Sequence, residues 1–303
     1  MKTLFHLTGI RSKQGFTLVE LLVAMAVLSL IILVIAQIFN TSSIAISQNS
    51  KNMNALDSSE AMLQQVGLDV SRMLLRDDID YSFVKVKNTG TNPGNDFFSF
   101  YARTPGLSAT GLPSSNAPRP LSVVQYQVVQ NPTSHLLEMQ YGALQIDWDN
   151  AGTSPFVLTS STQLLSTPNT LPAVTTFTPL APEVVRMELC FVLVNDPVQT
   201  DNPPKLLSAT PPAYISASNV PYPIRNVAGI LIGIVVIDPK SRALLPAGVD
   251  LKVAQLFPDA VADQDLLSLW APLNMAAKLQ AIGVPTKAVP GVRIYQKYFP
   301  LRG

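Results

Sequence analysis

From Phe16 to Phe39 the chain is apolar at every position except Thr17, Glu20, Ser29 and Gln37. As a helix, this run of roughly 24 residues is about 36 Å long, enough to cross the hydrocarbon core of a bilayer. It contains neither Pro nor Gly, so nothing inside it breaks a helix. Asn40 to Asn54 is rich in Ser and Asn, poor helix formers that predict a weak continuation. From Lys51 to about Arg76 the pattern turns amphipathic. Met53, Leu56, Leu63, Val66, Val70 and Met73 recur at helical spacings, with Glu60, Asp69, Arg72 and Arg76 largely on the other faces. That arrangement predicts a half-buried helix laid against a sheet.

The acidic cluster Asp77-Asp78-Ile79-Asp80 reads as the end of this helix and a turn. No further ligand spacing follows it, so it does not read as a metal site. Beyond it the period becomes strand-like, at Tyr81 to Lys87 and at Phe97 to Tyr101. Leu121 to Gln130 and Leu136 to Tyr141 predict a hairpin turning at Asn131-Pro132-Thr133-Ser134, with His135 at its edge as a loop residue. Ala151 to Pro182 is a long polar stretch. Asp147-Trp148-Asp149-Asn150 just before it is two carboxylates around an aromatic ring, without a legible groove, and reads as surface. Glu183 to Val194 is the strongest strand, and Asp196 to Pro223 a Pro-rich loop. Val227 to Ile237 is too short to span a membrane and predicts a buried strand. Asp238 to Ser241 reads as a turn. Helical pattern follows after Leu251 and up to Gly283, and Val292 to Phe299 predicts a last strand.

The chemistry of the apolar run turns on one residue. A carboxylate in hydrocarbon costs several kcal/mol unless it finds a partner. Lys2, Arg11 and Lys13 make the preceding stretch basic, and Gly15 stands before Phe16. Cleavage after Gly15 creates a cationic amine on Phe16, about one helical turn from Glu20. In a staggered stack of helices, the amine of one subunit meets the Glu20 of its neighbour. Neutralisation then happens only on assembly and sets the packing register. Glu20 also suits the positive end of the helix dipole.

Gly15, Phe16 and the continuation Thr17-Leu18-Val19-Glu20-Leu21-Leu22 resemble the prepilin signal of type IV pilins and type II secretion pseudopilins. The resemblance implies cleavage between Gly15 and Phe16 by prepilin peptidase, N-methylation of Phe16, and assembly through Glu20, Leu18, Leu21, Leu22 and Val23. Leu63 to Asp77 and Leu180 to Leu189 loosely resemble J-type and W-type minor subunits. The whole chain most resembles the Verru_Chthon cassette protein C family. Two rival readings of the N-terminus are weaker. A plain membrane anchor needs neither Gly-Phe nor the Glu. A signal peptide cut near Ser43-Ile44-Ala45 has a shorter apolar region than this one.

Composition narrows the function further. The chain has 303 residues, 47% hydrophobic and 14% charged, with a net charge of +1 and more Pro (25) than Gly (15). That balance predicts no nucleic-acid partner and long, stiff connections. Cys190 is the single cysteine, so no internal disulfide forms, and it reads as a buried strand residue. There is no nucleophile motif, histidine cluster or Gly-rich phosphate loop. An enzyme, a metal and a cofactor are not expected.

The expected fold is α+β: a long N-terminal helix packed on a mostly antiparallel β-sheet with long Pro-rich loops. Residues 1–15 form the leader, 16–39 the transmembrane assembly helix, 40–77 its amphipathic continuation, and 78–303 a periplasmic β-rich domain. The leader's positive charge places it on the cytoplasmic side. Expected partners are prepilin peptidase, other pilin-like subunits, the inner-membrane assembly platform and membrane lipid. The alternative function is a membrane-anchored periplasmic binding protein that uses the signal for sorting.

Overall fold

The computed structural model describes residues 17–75, 81–105, 121–145, 174–194, 207–212, 224–271 and 275–301. Side chains at 47, 48, 50–52 and 54–58 fall outside that description. The chain divides into two units, Met1–Ser50 and Lys51–Gly303, each considered by itself.

One helix, α1, runs Leu18–Ser71. In the first unit its apolar segment Leu18–Ile46 is 29 residues long, and its side chains are exposed throughout. The Ser- and Asn-rich zone remains helical. Two hydroxyls in this unit bond back along the helix, Ser29 to the Met25 carbonyl (2.8 Å) and Thr41 to the Gln37 carbonyl (2.9 Å). Each is thereby satisfied without any partner outside the helix.

In the second unit α1 buries Met62, Leu63, Val66 and Val70, the stripe that the spacing predicts from Leu63 onward, and Met73, also expected on it, is buried just past the helix end in a bridge to Ala102. Met53, expected on that stripe, is exposed. Asp69, expected on an outer face, is fully buried because the Tyr126 hydroxyl donates to it at 2.5 Å and the Gln65 amide at 3.2 Å. The helix ends at Ser71, earlier than the expected Arg76. There the backbone joins a strand end instead: the Leu74 N–H bonds to the Tyr101 carbonyl (2.8 Å) and the Arg103 N–H to that of Arg72 (3.0 Å). The Asp77–Asp80 cluster lies outside the described residues.

The expected sheet is two sheets. The first is an antiparallel meander of β1 (Tyr81–Val84), β2 (Phe97–Ala102), β3 (Ser122–Gln130), β4 (Leu137–Gln145) and β5 (Thr178–Ala181), in that order. The second contains β6 (Val184–Leu193), β7 (Leu207–Ser208), β8 (Val227–Ile237) and β9 (Val292–Pro300), ordered β7-β6-β8-β9 and also antiparallel. The β3–β4 turn falls where expected. The Asn131 side chain accepts from the Thr133 and Ser134 N–H groups, and exposed His135 takes a left-handed φ of 55°. β5 lies at the end of the long polar stretch Ala151–Pro182, and β7 within the expected Pro-rich loop. Each is short and pairs on one side only, so it leaves little trace in local pattern.

β6 and β8 are buried along nearly their whole length, and their apolar runs follow from cover on both faces. Phe83, on the first sheet, meets Phe191 of β6 edge-on with ring centres 5.3 Å apart, and Phe98 stacks on Tyr126 at 5.2 Å. The other cover comes from short helices: α2 (Pro239–Arg242), α3 (Val249–Gln255), α4 (Leu266–Trp270) and α5 (Met275–Ala281). Leu266 and Trp270 approach Gly233 of β8 so closely that a Cβ there would lie 2.6 Å from a Leu266 methyl. The expected turn at Asp238 is the start of α2, whose Lys240 and Ser241 N–H groups the Asp238 carboxylate caps.

Phe98 is fully buried between Phe83, Phe100 and Tyr126. Phe98→Ala is expected to destabilise the second unit by about 3–5 kcal/mol, read as a lower denaturant midpoint of the full chain in detergent.

Candidate functional site: the N-terminal helix start

Thr17 precedes the first helical residue, and its side-chain oxygen accepts from the Glu20 N–H at 3.3 Å. In return, one Glu20 carboxylate oxygen, Oε2, accepts from both the Thr17 N–H and the Thr17 hydroxyl, each at 2.9 Å. This reciprocal pair is a capping box. It satisfies two of the backbone donors that every helix start leaves unpaired. The Thr-x-x-Glu spacing was its sequence signal, and a reading centred on Glu20 as a lone buried acid misses it. Glu20 therefore has a local task, fixing where α1 begins. Its second oxygen, Oε1, has no partner among the described residues.

Leu18, Leu21, Leu22 and Val23 follow on the same helix, all exposed, Leu18 at 82%. Val19 and Met25 share that exposure, so the apolar surface surrounds the helix and is not a stripe. Gly15 and Phe16 lie outside the described residues, as does Asp147-Trp148-Asp149-Asn150.

The second unit holds a buried ionic cluster that the sequence did not reveal. The Lys85 ammonium sits between Asp96 (2.5 Å) and Glu188, and also donates to the Leu189 carbonyl (2.8 Å). Arg186 bonds Glu188 at 2.6 Å, Asp259 at 2.8 Å and the Pro93 carbonyl. Asp96 further accepts from the Val86 and Leu189 N–H groups, and Glu188 from that of Ala260. Three carboxylates thus share two cations. Burial, then the neighbouring Asp96, pushes the Glu188 carboxyl up to about 7. Burial likewise raises Asp96. Lys85 is held above its usual value because Asp96 and Glu188 outweigh the effect of its burial. Glu188, Arg186 and Asp96 are fully buried, and only the Lys85 and Asp259 side chains reach partly to the surface. Cys190, beside it on β6, is buried and its thiol is pushed up to about 12, chiefly by burial. A thiol in that state is a poor nucleophile. No group of three or more metal-ligating side chains occurs among the described residues.

A carboxyl raised on folding binds its proton more tightly in the native state than in the unfolded chain. Its contribution to stability is complete below the ordinary carboxylate range and is lost as pH rises through about 7. The unfolding midpoint is therefore expected to fall between about pH 5 and pH 8. In Glu188→Gln the slope over that window flattens, as thermal melts at a series of pH values will show.

Residues 10–36 match the family model described as the prokaryotic N-terminal methylation motif. No curated protein and no solved structure matches the chain. The match covers Gly15, Phe16 and Glu20 and ends inside the apolar segment of α1. Among the described residues one helix is long and apolar enough to cross a membrane, and with the matched signal it fits a single-pass inner-membrane anchor. Signal and helix together support a type IV pilin-like protein that prepilin peptidase processes and that assembles with other pilin subunits.

Proposed function

We propose that this chain is a minor pilin or pseudopilin-like subunit of a type IV pilus or type II secretion pseudopilus. The observation that carries the reading is an ionisable residue in the first turn of a fully exposed, lipid-length apolar helix, inside a methylation motif. Prepilin peptidase cuts between Gly15 and Phe16, and Phe16 is then methylated. The leader is cytoplasmic, and the β-rich domain is periplasmic. The subunit is drawn from the inner membrane by the assembly platform. The role is structural, not enzymatic.

Assembly then has two electrostatic parts. Within a subunit, Oε2 of Glu20 caps the helix. Between subunits, Oε1 accepts the amine of a neighbour's Phe16, so the charge left in the apolar environment is cancelled on stacking. Leu18, Leu21, Leu22 and Val23 supply the close-packed surface around that pair. The chain as a whole resembles the Verru_Chthon cassette protein C family. That resemblance specifies a class of prepilin-type subunit rather than a cargo.

A second reading, a membrane-anchored binding protein, draws on a groove lined by Ala61, Met62, Gln65, Tyr141, Leu180, Pro182 and Glu183. It is separable from the first: removing the domain after α1 would then spare fibre assembly and abolish ligand capture.

Glu20→Ala is expected to leave cleavage largely intact and to reduce incorporation into fibres about ten-fold or more. The checks are intact-mass analysis of the mature protein and immunoblotting of sheared fibres. Wild-type incorporation in this variant, or a mature protein that does not begin at Phe16, refutes the proposal.

A further inference from the structure

Lys85 and Asp96 meet because the β1–β2 register brings them opposite one another. The pairs Tyr81↔Phe100, Ser82↔Ser99, Phe83↔Phe98 and Val84↔Phe97, carried one step further, set residue 85 against residue 96. Glu188 reaches the same point from the middle of β6, in the other sheet. The segment before β2 is fixed to β6 as well. The Asp96 N–H donates to the Met187 carbonyl (3.1 Å), and the Asn95 side-chain oxygen accepts from the Met187 N–H (2.9 Å). An amine and two carboxyls are thus held in contact by three separate pieces of chain.

Each proton of the Lys85 ammonium has an acceptor: Asp96 Oδ2 at 2.5 Å, Glu188 Oε1, and the Leu189 carbonyl at 2.8 Å. Nζ therefore lies one carbon–oxygen bond beyond contact with the Asp96 carboxyl carbon, close to the separation of about 3–3.5 Å from which bonds form. The two carboxyls differ in what else holds them. Glu188 Oε2 is bonded to Arg186 (2.6 Å), and that cation favours the ionised form. Asp96 has no cation besides Lys85 among the described residues. Its Oδ1 accepts from the Val86 N–H (2.9 Å) and its Oδ2 from the Leu189 N–H (2.8 Å). A proton passed from Lys85 to Asp96 leaves a neutral amine beside a neutral acid, with two charges fewer in the interior. The Val86 N–H then faces the oxygen that gains negative charge when the carboxyl carbon becomes tetrahedral. Both carboxyl side chains are fully shielded, while the Lys85 side chain is 20% exposed. Bulk water is kept from the reacting carbon, and the amine side opens to solvent.

We propose that Lys85 and Asp96 condense to an intramolecular amide, with Glu188 carrying the proton. Nζ bonds to the Asp96 carboxyl carbon, and the bond from that carbon to Oδ2 breaks. Of the three ammonium protons, the first goes to Oδ2. The second goes to Glu188 Oε1 as the nitrogen attacks, and from there to the departing hydroxyl, which leaves as water. The third stays on the nitrogen, bonded to the Leu189 carbonyl. Glu188 ends as it began, and nothing is oxidised or reduced. The product closes residues 85–96 into a covalent ring across the β1–β2 connection. Burial, the first cause of the raised Glu188 carboxyl, is unchanged by it.

The test is a peptide map of the full chain, purified in detergent, denatured and digested with trypsin, which cuts after free lysine and arginine. The expected product is branched: residues 77–87 joined to residues 88–103, lighter by one water than the two peptides together. Fragmentation should place the junction at Lys85 and Asp96. This product is expected to be the major form of the wild-type chain and absent from Lys85→Arg. In Glu188→Gln it should form at least about ten-fold more slowly, with circular dichroism confirming that the variant folds. Should a variant not fold, the wild-type map decides alone. The proposal is overturned by separate, full-mass peptides 77–85 and 88–103 in the wild type. Loss of water at Asp96 with Lys85 still cut, a cyclic imide, overturns it too, as does a junction at Glu188. Undiminished condensation in folded Glu188→Gln overturns the role of Glu188.

Discussion

The second unit is joined by one polar contact on which the surrounding loops depend: Lys85 held between Asp96 and Glu188. Asp96 lies just before β2, Lys85 just after β1, and Glu188 in the middle of β6, so the contact links the two sheets. Arg186 extends it to Asp259, after α3, and to the Pro93 carbonyl. Buried ions are a poor source of stability compared with apolar packing, because each must be stripped of water. Their value here is geometric. Asp96 and Glu188 also collect backbone N–H groups, from irregular chain at Val86 and Ala260 and from Leu189 of β6, groups that need acceptors once buried. Removing one member leaves the others buried and unpaired, so the loops tolerate substitution in this cluster less well than on the surface.

The helical and β-rich character of the chain was legible because it depends on local period. Leu63, Val66 and Val70 recur at helical spacing and are buried. Val227 to Ile237 was short and wholly apolar, and it is an interior strand. What escaped was set by distant partners. Asp69 looked like a surface charge until Tyr126, far away in sequence, supplied a hydroxyl. Past Ser71 the chain bonds instead to Tyr101 of β2 and to Arg103 just after it, which no property of residues 71–75 announces. The division into two sheets, too, follows from which strands find each other rather than from their individual sequences.

The candidate site shows the same split at shorter range. Glu20 stood out because an acid in an apolar run is costly. Its bond to Thr17 was equally local, written in a spacing of three residues, yet a search for a charged partner looks past a hydroxyl. The ionic cluster was illegible for the opposite reason. Lys85 and Glu188 are separated by 103 residues, and nothing about either in isolation distinguishes it from an ordinary surface charge.

Cys190 carries one further consequence. Secretory compartments are oxidising, and a solitary thiol there is a hazard, since it can join to glutathione or to another molecule of the same protein. Here the sulfur lies within β6, shut off from solvent and kept in its protonated form. Exchange requires the thiolate and a path to it, and the folded domain withholds both. Burial within β6 therefore shields this thiol from exchange in any compartment, oxidising or not. Only a subunit that unfolds or is left incomplete exposes the sulfur, and alkylation by a reagent added from outside would single out those failed molecules.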